Sequence, residues 1–364
     1  MRVRPIVRKA LTGLLDTGVE FARRTFLPAL GGVPDTAQLA RSSRYRGGAF
    51  HNSASARWVP PGTRDGLLRE IVRRAKHRHP SGDVPVIRDV PDAATSGLHI
   101  TWFGHASSLI ELDGARLLLD PVFSDRVSPL PGVGPRRMHP VPRELADLPE
   151  LDAVIVSHDH YDHLDMATVR KLAHSRSMPF VVPLGVATHL RHWGIPGDRI
   201  IELDWNESFE VAGVTITAAA AQHFSGRALT RNNTLWASWV LAGASHRVFY
   251  TGDSGYFDGY ADVGARYGPF DATLVQIGAY NAAWPDIHMT PEEGVAAHSD
   301  VRGDVLIPVH WATFNLALHP WSEPADRVWA EAKAMGVALA VPRPGERIDV
   351  AALPAVDSWW KAVE

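Results

Sequence analysis

Ser157-His158-Asp159-His160-Tyr161-Asp162-His163-Leu164-Asp165 sets three imidazoles and a carboxylate within six residues, in the pattern His-x-His-x-Asp-His. Neutral imidazole and carboxylate bind divalent cations, and a cluster this dense reads as a set of metal ligands. His158 and His160 lie two apart, so in extended chain both rings project to one side, with Asp162 and His163 one short turn later. A strand-to-loop edge of this kind could hold two ions. Three more candidates close apolar runs: His223 after Val214-Thr215-Ile216-Thr217-Ala218-Ala219-Ala220-Ala221-Gln222, Asp253 after Val248-Phe249-Tyr250-Thr251-Gly252, and His310 after Val305-Leu306-Ile307-Pro308-Val309. Any one of them alone would read as an ordinary structural residue. Loops at strand ends are where sheet-based folds gather their chemistry, and with the cluster the three complete seven ligands, enough for two metal ions.

Such ligands need strands to hold them. Ala153-Val154-Ile155-Val156 reads as a buried strand ending where the histidines begin. Upstream, residues 99–112 and 115–120 read as strand, strand, a tight Asp113-Gly114 turn and a third strand, an antiparallel opening. Further strands are expected at 180–182, 214–219, 236–241, 248–251, 273–277, 305–309 and 338–341. Helices are expected at 166–173, 291–299 and 324–334, the second with Thr290 as N-cap, Pro291 in its first turn and Glu292 and Glu293 near its positive end. Many strands with helices between some of them imply two packed sheets covered by helices.

The rest of the chain bounds the partners. In 364 residues the apolar fraction is 45%, enough for a sizeable core, and one catalytic domain over 97–364 with an N-terminal extension over 1–96 accounts for the length. The net charge of −3, with both signs interspersed, argues against nucleic acid. Cysteine is absent, so any metal must be held by imidazole and carboxylate; this fits a cytoplasmic protein. No run approaches the length of a spanning helix. Val7, Leu11, Leu14, Leu15, Val19 and Ala22 recur at helical spacing, so an amphipathic helix is expected over 1–26. Asp16 and Glu20 interrupt its apolar region and argue against a secretory signal, which leaves packing on its own domain, on a partner subunit or peripherally on a membrane. Residues 31–96, rich in Gly, Pro, Arg and Ser, read as an extended arm with one helix near 65–76 and no chemistry of their own.

The order His158-x-His160-x-Asp162-His163, His223, Asp253, His310 resembles the metallo-β-lactamase-fold hydrolases. Neighbouring strings resemble one branch, the N-acyl-phosphatidylethanolamine phospholipase D-like and ascorbate-6-phosphate lactonase-like proteins: Trp102-Phe103-Gly104-His105-Ala106, Leu235-Trp236-Ala237-Ser238-Trp239, Gly252-Asp253-Ser254-Gly255-Tyr256 and His310-Trp311-Ala312-Thr313-Phe314. The resemblance implies an α/β fold, an αββα sandwich of two mixed β-sheets flanked by helices. It implies that His158, His160 and His223 bind one metal, that Asp162, His163 and His310 bind a second, and that Asp253 bridges them. Asp120 matches a position that orients the ligand loop by hydrogen bonding. Zinc, two ions per chain, is expected because redox diiron members of the fold carry Glu where this chain has His160, with manganese or iron left open. A metal-bridging hydroxide oriented by Asp162 would be the nucleophile. His288 aligns with a substrate-side histidine that could donate a proton or hold a phosphoryl oxygen, or simply cap the loop before Pro291. Tyr280, Asn281 and Trp284 are expected to line the cleft.

Between Tyr280 and His288 the chain lacks the Pro-Arg-Trp-like segment of the animal phospholipases, so the resemblance favours phosphodiester hydrolysis without naming the lipid. Lactone, amide or weak β-lactam hydrolysis would use the same parts, and a non-catalytic metal-binding protein is the reading from another class. The sequence is silent on oligomeric state.

Overall fold

The computed structural model describes residues 27–54, 77–89, 94–227 and 231–363. The helices expected over 1–26 and 65–76 lie outside the described residues. Helix α1 (Thr36–Leu39) and a small hairpin of β1 (Tyr45–Arg46) and β2 (Ala49–Phe50) precede the main body. There follow β3 (Leu98–Gly104), β4 (Ser107–Leu112), β5 (Ala115–Leu119), β6 (Ala153–Ile155), α2 (Met166–Ser175), β7 (Phe180–Pro183), α3 (Ala187–His192) and β8 (Ile200–Leu203). The second half contributes β9 (Ser208–Val211), β10 (Val214–Ala219), β11 (Ser238–Ala242), β12 (Arg247–Tyr250), α4 (Gly259–Tyr267), β13 (Phe270–Gln276), α5 (Pro291–Asp300), β14 (Gly303–Val309), α6 (Glu323–Met335), β15 (Ala338–Leu339) and β16 (Arg347–Asp349).

These strands form two seven-stranded mixed sheets, β16-β3-β4-β5-β6-β7-β8 and β15-β14-β13-β12-β11-β10-β9. Pairing is antiparallel through β16-β3-β4-β5 and parallel onward to β8. The second sheet is antiparallel from β9 to β12 and parallel from β12 to β15. Period-two alternation assigns each strand's side chains to two cores. Leu117, Leu119, Ala153, Ile155 and Val181 point inward and join Ile216, Trp239 and Phe249 of the facing sheet. Leu118, Val154, Phe180 and Val182 point outward against Val169 and Leu172 of α2 and Leu190 of α3. Val295 of α5 and Val328 of α6 cover the outer face of the second sheet. The architecture is therefore the αββα sandwich that the resemblance implied. Each of these side chains is fully buried, and each Val, Leu, Ile and Phe among them is worth roughly 1.5–3 kcal/mol of transfer free energy.

Residues 27–54 lie against the sandwich. Leu39 and Phe50 are buried in its core, Arg41 pairs with Glu207 at 2.6 Å, and Trp193 Nε1 donates to the Pro28 carbonyl at 2.8 Å. Among the described residues no helix is long and apolar enough to cross a membrane.

Candidate metal centre

Every candidate ligand follows the carboxyl end of a strand, and the two sheets bring those ends to one edge: β6 leads to His158–His163, β10 to His223, β12 to Asp253 and β14 to His310. Close backbone approach makes the convergence possible. Gly252 sits at φ 57°, and a Cβ there would stand 2.8 Å from Ser157 Cβ and 2.9 Å from the Ala237 carbonyl, so only glycine lets the β12 loop reach the β6 loop.

The ligand loop is held from three sides. At its start, Asp120 accepts from Ser157 N at 2.6 Å, Ser157 Oγ at 2.5 Å, Tyr250 OH at 2.5 Å and His163 Nδ1 at 2.6 Å. The last of these fixes the His163 tautomer and leaves Nε2 for the centre. At its end, Asp165 caps α2 and accepts from Ser124 Oγ at 2.6 Å. Across its middle, buried Arg227 donates to the carbonyls of Asp159 and Leu164, each at 2.7 Å.

Two donor sets result. His160 Nδ1 lies 2.7 Å from His158 Nε2 and 3.3 Å from His223 Nε2. Asp162 Oδ2 lies 3.5 Å from His163 Nε2 and 3.3 Å from His310 Nε2. Asp253 Oδ2 stands between the sets, 3.2 Å from His163, 3.1 Å from His310, 3.8 Å from His223 and 4.0 Å from His158. The donors fit divalent metal. Lone pairs of buried imidazoles facing one another at these separations need a proton or a cation among them, and His163 Nε2 and Asp253 Oδ1 are buried without a hydrogen bond. All donors are nitrogen or oxygen, which suits Zn, Mn or Fe.

The electrostatics differ between the sets. Burial, then the neighbouring imidazoles, holds His158 well below the usual imidazole pKa, and burial likewise lowers His160 and His223, so these rings are neutral and ready to ligate. Burial pushes His163 the same way, but Asp253, Asp162 and Asp120 outweigh it and raise His163 well above the usual value; Asp253 and Asp162 likewise raise His310 against burial. That corner is a seat for positive charge. Asp162 and Asp253, opposed by burial but facing His163, are held well below the usual carboxylate range.

An open cleft of about 370 Å³ reaches the centre, lined by His160, Asp162, Asp253, His288, Phe224, Arg231, Trp284, Ile287 and Leu316 among others. His288 sits in its wall with Nε2 3.9 Å from Asp253 Oδ2, and burial lowers its pKa to about 4. Trp284 lines the cleft. Tyr280 is placed otherwise: its hydroxyl donates to Glu323 at 2.6 Å and its ring stacks on His319, so it braces the cleft loop from behind. Asn281 turns its Oδ1 to the Ala283 N–H at 2.9 Å.

Three residues in and around the centre escaped the sequence reading. His105 lies 2.9 Å from Asp162 Oδ2; its one sequence cue was the Trp-Phe-Gly-His-Ala string, because it has no ligand-like spacing. Arg231 lies over the Phe224 ring at 4.2 Å on the cleft margin. Asn52, in the arm that showed no chemistry, donates to the His223 carbonyl at 2.8 Å and accepts from the His223 N–H at 3.0 Å. A lone Asn in a Gly/Pro-rich stretch carries no signal of such a role.

Comparison with known proteins agrees with this architecture. The β-lactamase superfamily domain matches residues 115–311. An uncharacterized protein of Mycobacterium tuberculosis is 47% identical over 98% of this chain and 100% of its own length. The N-acyl-phosphatidylethanolamine-hydrolyzing phospholipase D 1 of Caenorhabditis elegans is 35% identical over 72% of this chain and 80% of its own length. Among solved structures, isothiocyanate hydrolase from Delia radicum gut bacteria superposes with a TM-score of 0.55 at 21% identity, covering 71% of this chain and all of that one, a likeness of fold alone. The chain belongs to the β-lactamase superfamily, as a metal-dependent hydrolase of its N-acyl-phosphatidylethanolamine phospholipase D-like branch.

Proposed function

We propose that this protein is a dinuclear zinc phosphodiesterase of phospholipase D type, with His158, His160 and His223 holding one ion, Asp162, His163 and His310 the other, and Asp253 shared between them. The observation that carries the reading is the position of Asp253 Oδ2 between two complete donor sets. When bound, two divalent cations lower the pKa of a water held between them and take up negative charge that develops on the phosphoryl oxygens.

The chain's own residues do the rest. Asp162 lies in the cleft wall with its carboxylate ionised, so it can accept a hydrogen bond from the attacking water and hold it in line with phosphorus. His288, neutral at pH 7, can hold a phosphoryl oxygen through a ring N–H. Arg231 at the cleft margin offers charge to the phosphodiester, and Phe224, Trp284, Ile287 and Leu316 offer apolar wall to the groups that flank it. This mixture supports a lipid or other amphipathic phosphodiester as substrate, the class named for the Caenorhabditis elegans relative.

Hydrolysis of bis(p-nitrophenyl) phosphate tests the reading. The wild type should turn it over, and Asp162→Ala should lower kcat by about 100-fold or more. Full metal content with no phosphodiester turnover would overturn the phosphodiesterase assignment and move it to a lactone or amide carbonyl.

A further inference from the structure

One ligand atom each of His105, Asp162, His163 and His310 lie within 4.8 Å of one another, and His105 grips two of the other three. We propose that His105 is a positioning residue for the Asp162–His163–His310 position: its ring holds Asp162 and its carbonyl holds His310, fixing donors from opposite sheets in one geometry. The inference deepens the two-ion reading and rests on it.

The contacts run both ways from one residue. The ring Nε2 stands 2.9 Å from Asp162 Oδ2, and the ring packs 4.0 Å, centroid to centroid, from His310. The main-chain carbonyl accepts the His310 N–H at 2.8 Å and the Trp102 Nε1–H at 2.7 Å. His158, His163, His223, His288 and His310 all approach Asp253 Oδ2 within 4.0 Å, and His105 does not. Its contacts are thus with Asp162 and His310 rather than with the shared carboxylate. A proton on Nε2 has Asp162 as its acceptor, while Nδ1 is buried with no hydrogen bond.

The backbone is built to aim this ring. His105 sits at φ 52°, a left-handed conformation that is strained for a side-chain-bearing residue and persists only where its surroundings enforce it. Here Thr313 Oγ1 accepts the His105 N–H at 2.6 Å, and buried His139 holds the same oxygen at 3.0 Å. The preceding Gly104, at φ 101°, leaves room for both: a Cβ would stand 2.7 Å from His139 and from Thr313 Oγ1. Strain and hydrogen bonds thus converge on a residue whose ring and carbonyl both end on the centre.

The test is zinc titration of the chelator-stripped full chain in competition with a chromophoric chelator, with circular dichroism melts as the check on folding. His105→Gln keeps an N–H at about the reach of Nε2. His105→Phe keeps ring volume beside Phe314 and removes the donor. Wild type and His105→Gln should each take two zincs, whereas His105→Phe should keep one at wild-type affinity and bind the other about 10–100-fold more weakly. Thr313→Val, which frees the His105 N–H, should show the same selective weakening and serves if His105→Phe does not fold. Two zincs at wild-type affinity in His105→Phe and Thr313→Val, or equal weakening in the Phe and Gln variants, would overturn the inference alone. A wild type that takes fewer than two zincs would overturn the two-ion reading and this inference with it.

Discussion

Asp120 shows how much of the centre depends on a side chain that need not touch an ion. It is fully buried and accepts four hydrogen bonds, from Ser157 twice, Tyr250 and His163. Asp120→Asn preserves the shape but replaces one acceptor oxygen with a donor facing other donors, so zinc affinity should fall about 10–100-fold in a chelator competition. His288 is tested differently, because it lines the cleft outside both proposed donor sets. His288→Ala should lower kcat about 100-fold while two zincs remain bound; loss of zinc instead would make it a ligand. At this scale the His-x-His-x-Asp-His spacing and three residues closing apolar runs made the cluster legible, because strand ends are local features. His105 and Asn52 were not legible, since what defines them is a partner far along the chain. Tyr280 shows the converse: it sits in the cleft loop, but Glu323, 43 residues on, draws its hydroxyl away.

Elements carry these residues, and their edges decide the geometry. Helix α5 begins with a capping box in which Thr290 and Glu293 exchange side-chain and backbone hydrogen bonds, and His288 stands two residues before it. The Thr, Pro and Glu cues for that helix start were readable in the sequence. Strands β3 to β7 and β10 to β15 were readable from apolar runs or alternation, whereas β9 has no buried residue and β16 is three residues long, paired to β3 from the far end of the chain. Local pattern cannot specify such a partner. The arm makes the same point through Asn52, which satisfies both backbone groups of His223 and shares its Oδ1 with Trp236 Nε1. Asn52→Ala should destabilise the fold by about 1–3 kcal/mol, read as a lower melting temperature, because it strips partners from buried backbone groups. A variant melting like wild type would show that the arm does not hold His223.

At the scale of the whole molecule, the fold also buries imidazoles outside the proposed donor sets. Burial, reinforced by Arg137, lowers His139 to about 3, and burial lowers His298 to about 4. In the unfolded chain both titrate near 6.5, so between that pH and about 4 the unfolded state binds more protons and stability falls as pH falls. Each pH unit across that window costs about 1.4 kcal/mol per fully titrating imidazole. Urea unfolding of metal-free protein should therefore show a lower midpoint at pH 5 than at pH 7.5, and His298→Asn should lessen the difference by one imidazole's share; a midpoint independent of pH would contradict the burial argument. The sandwich explains why metal chemistry can sit on such a body: two sheets bring strand ends from both halves of the chain to one edge, and Asp253 stands where they meet. Elemental analysis of protein purified without chelators tests that account most directly. Two zinc ions per chain are predicted; no bound metal would contradict it.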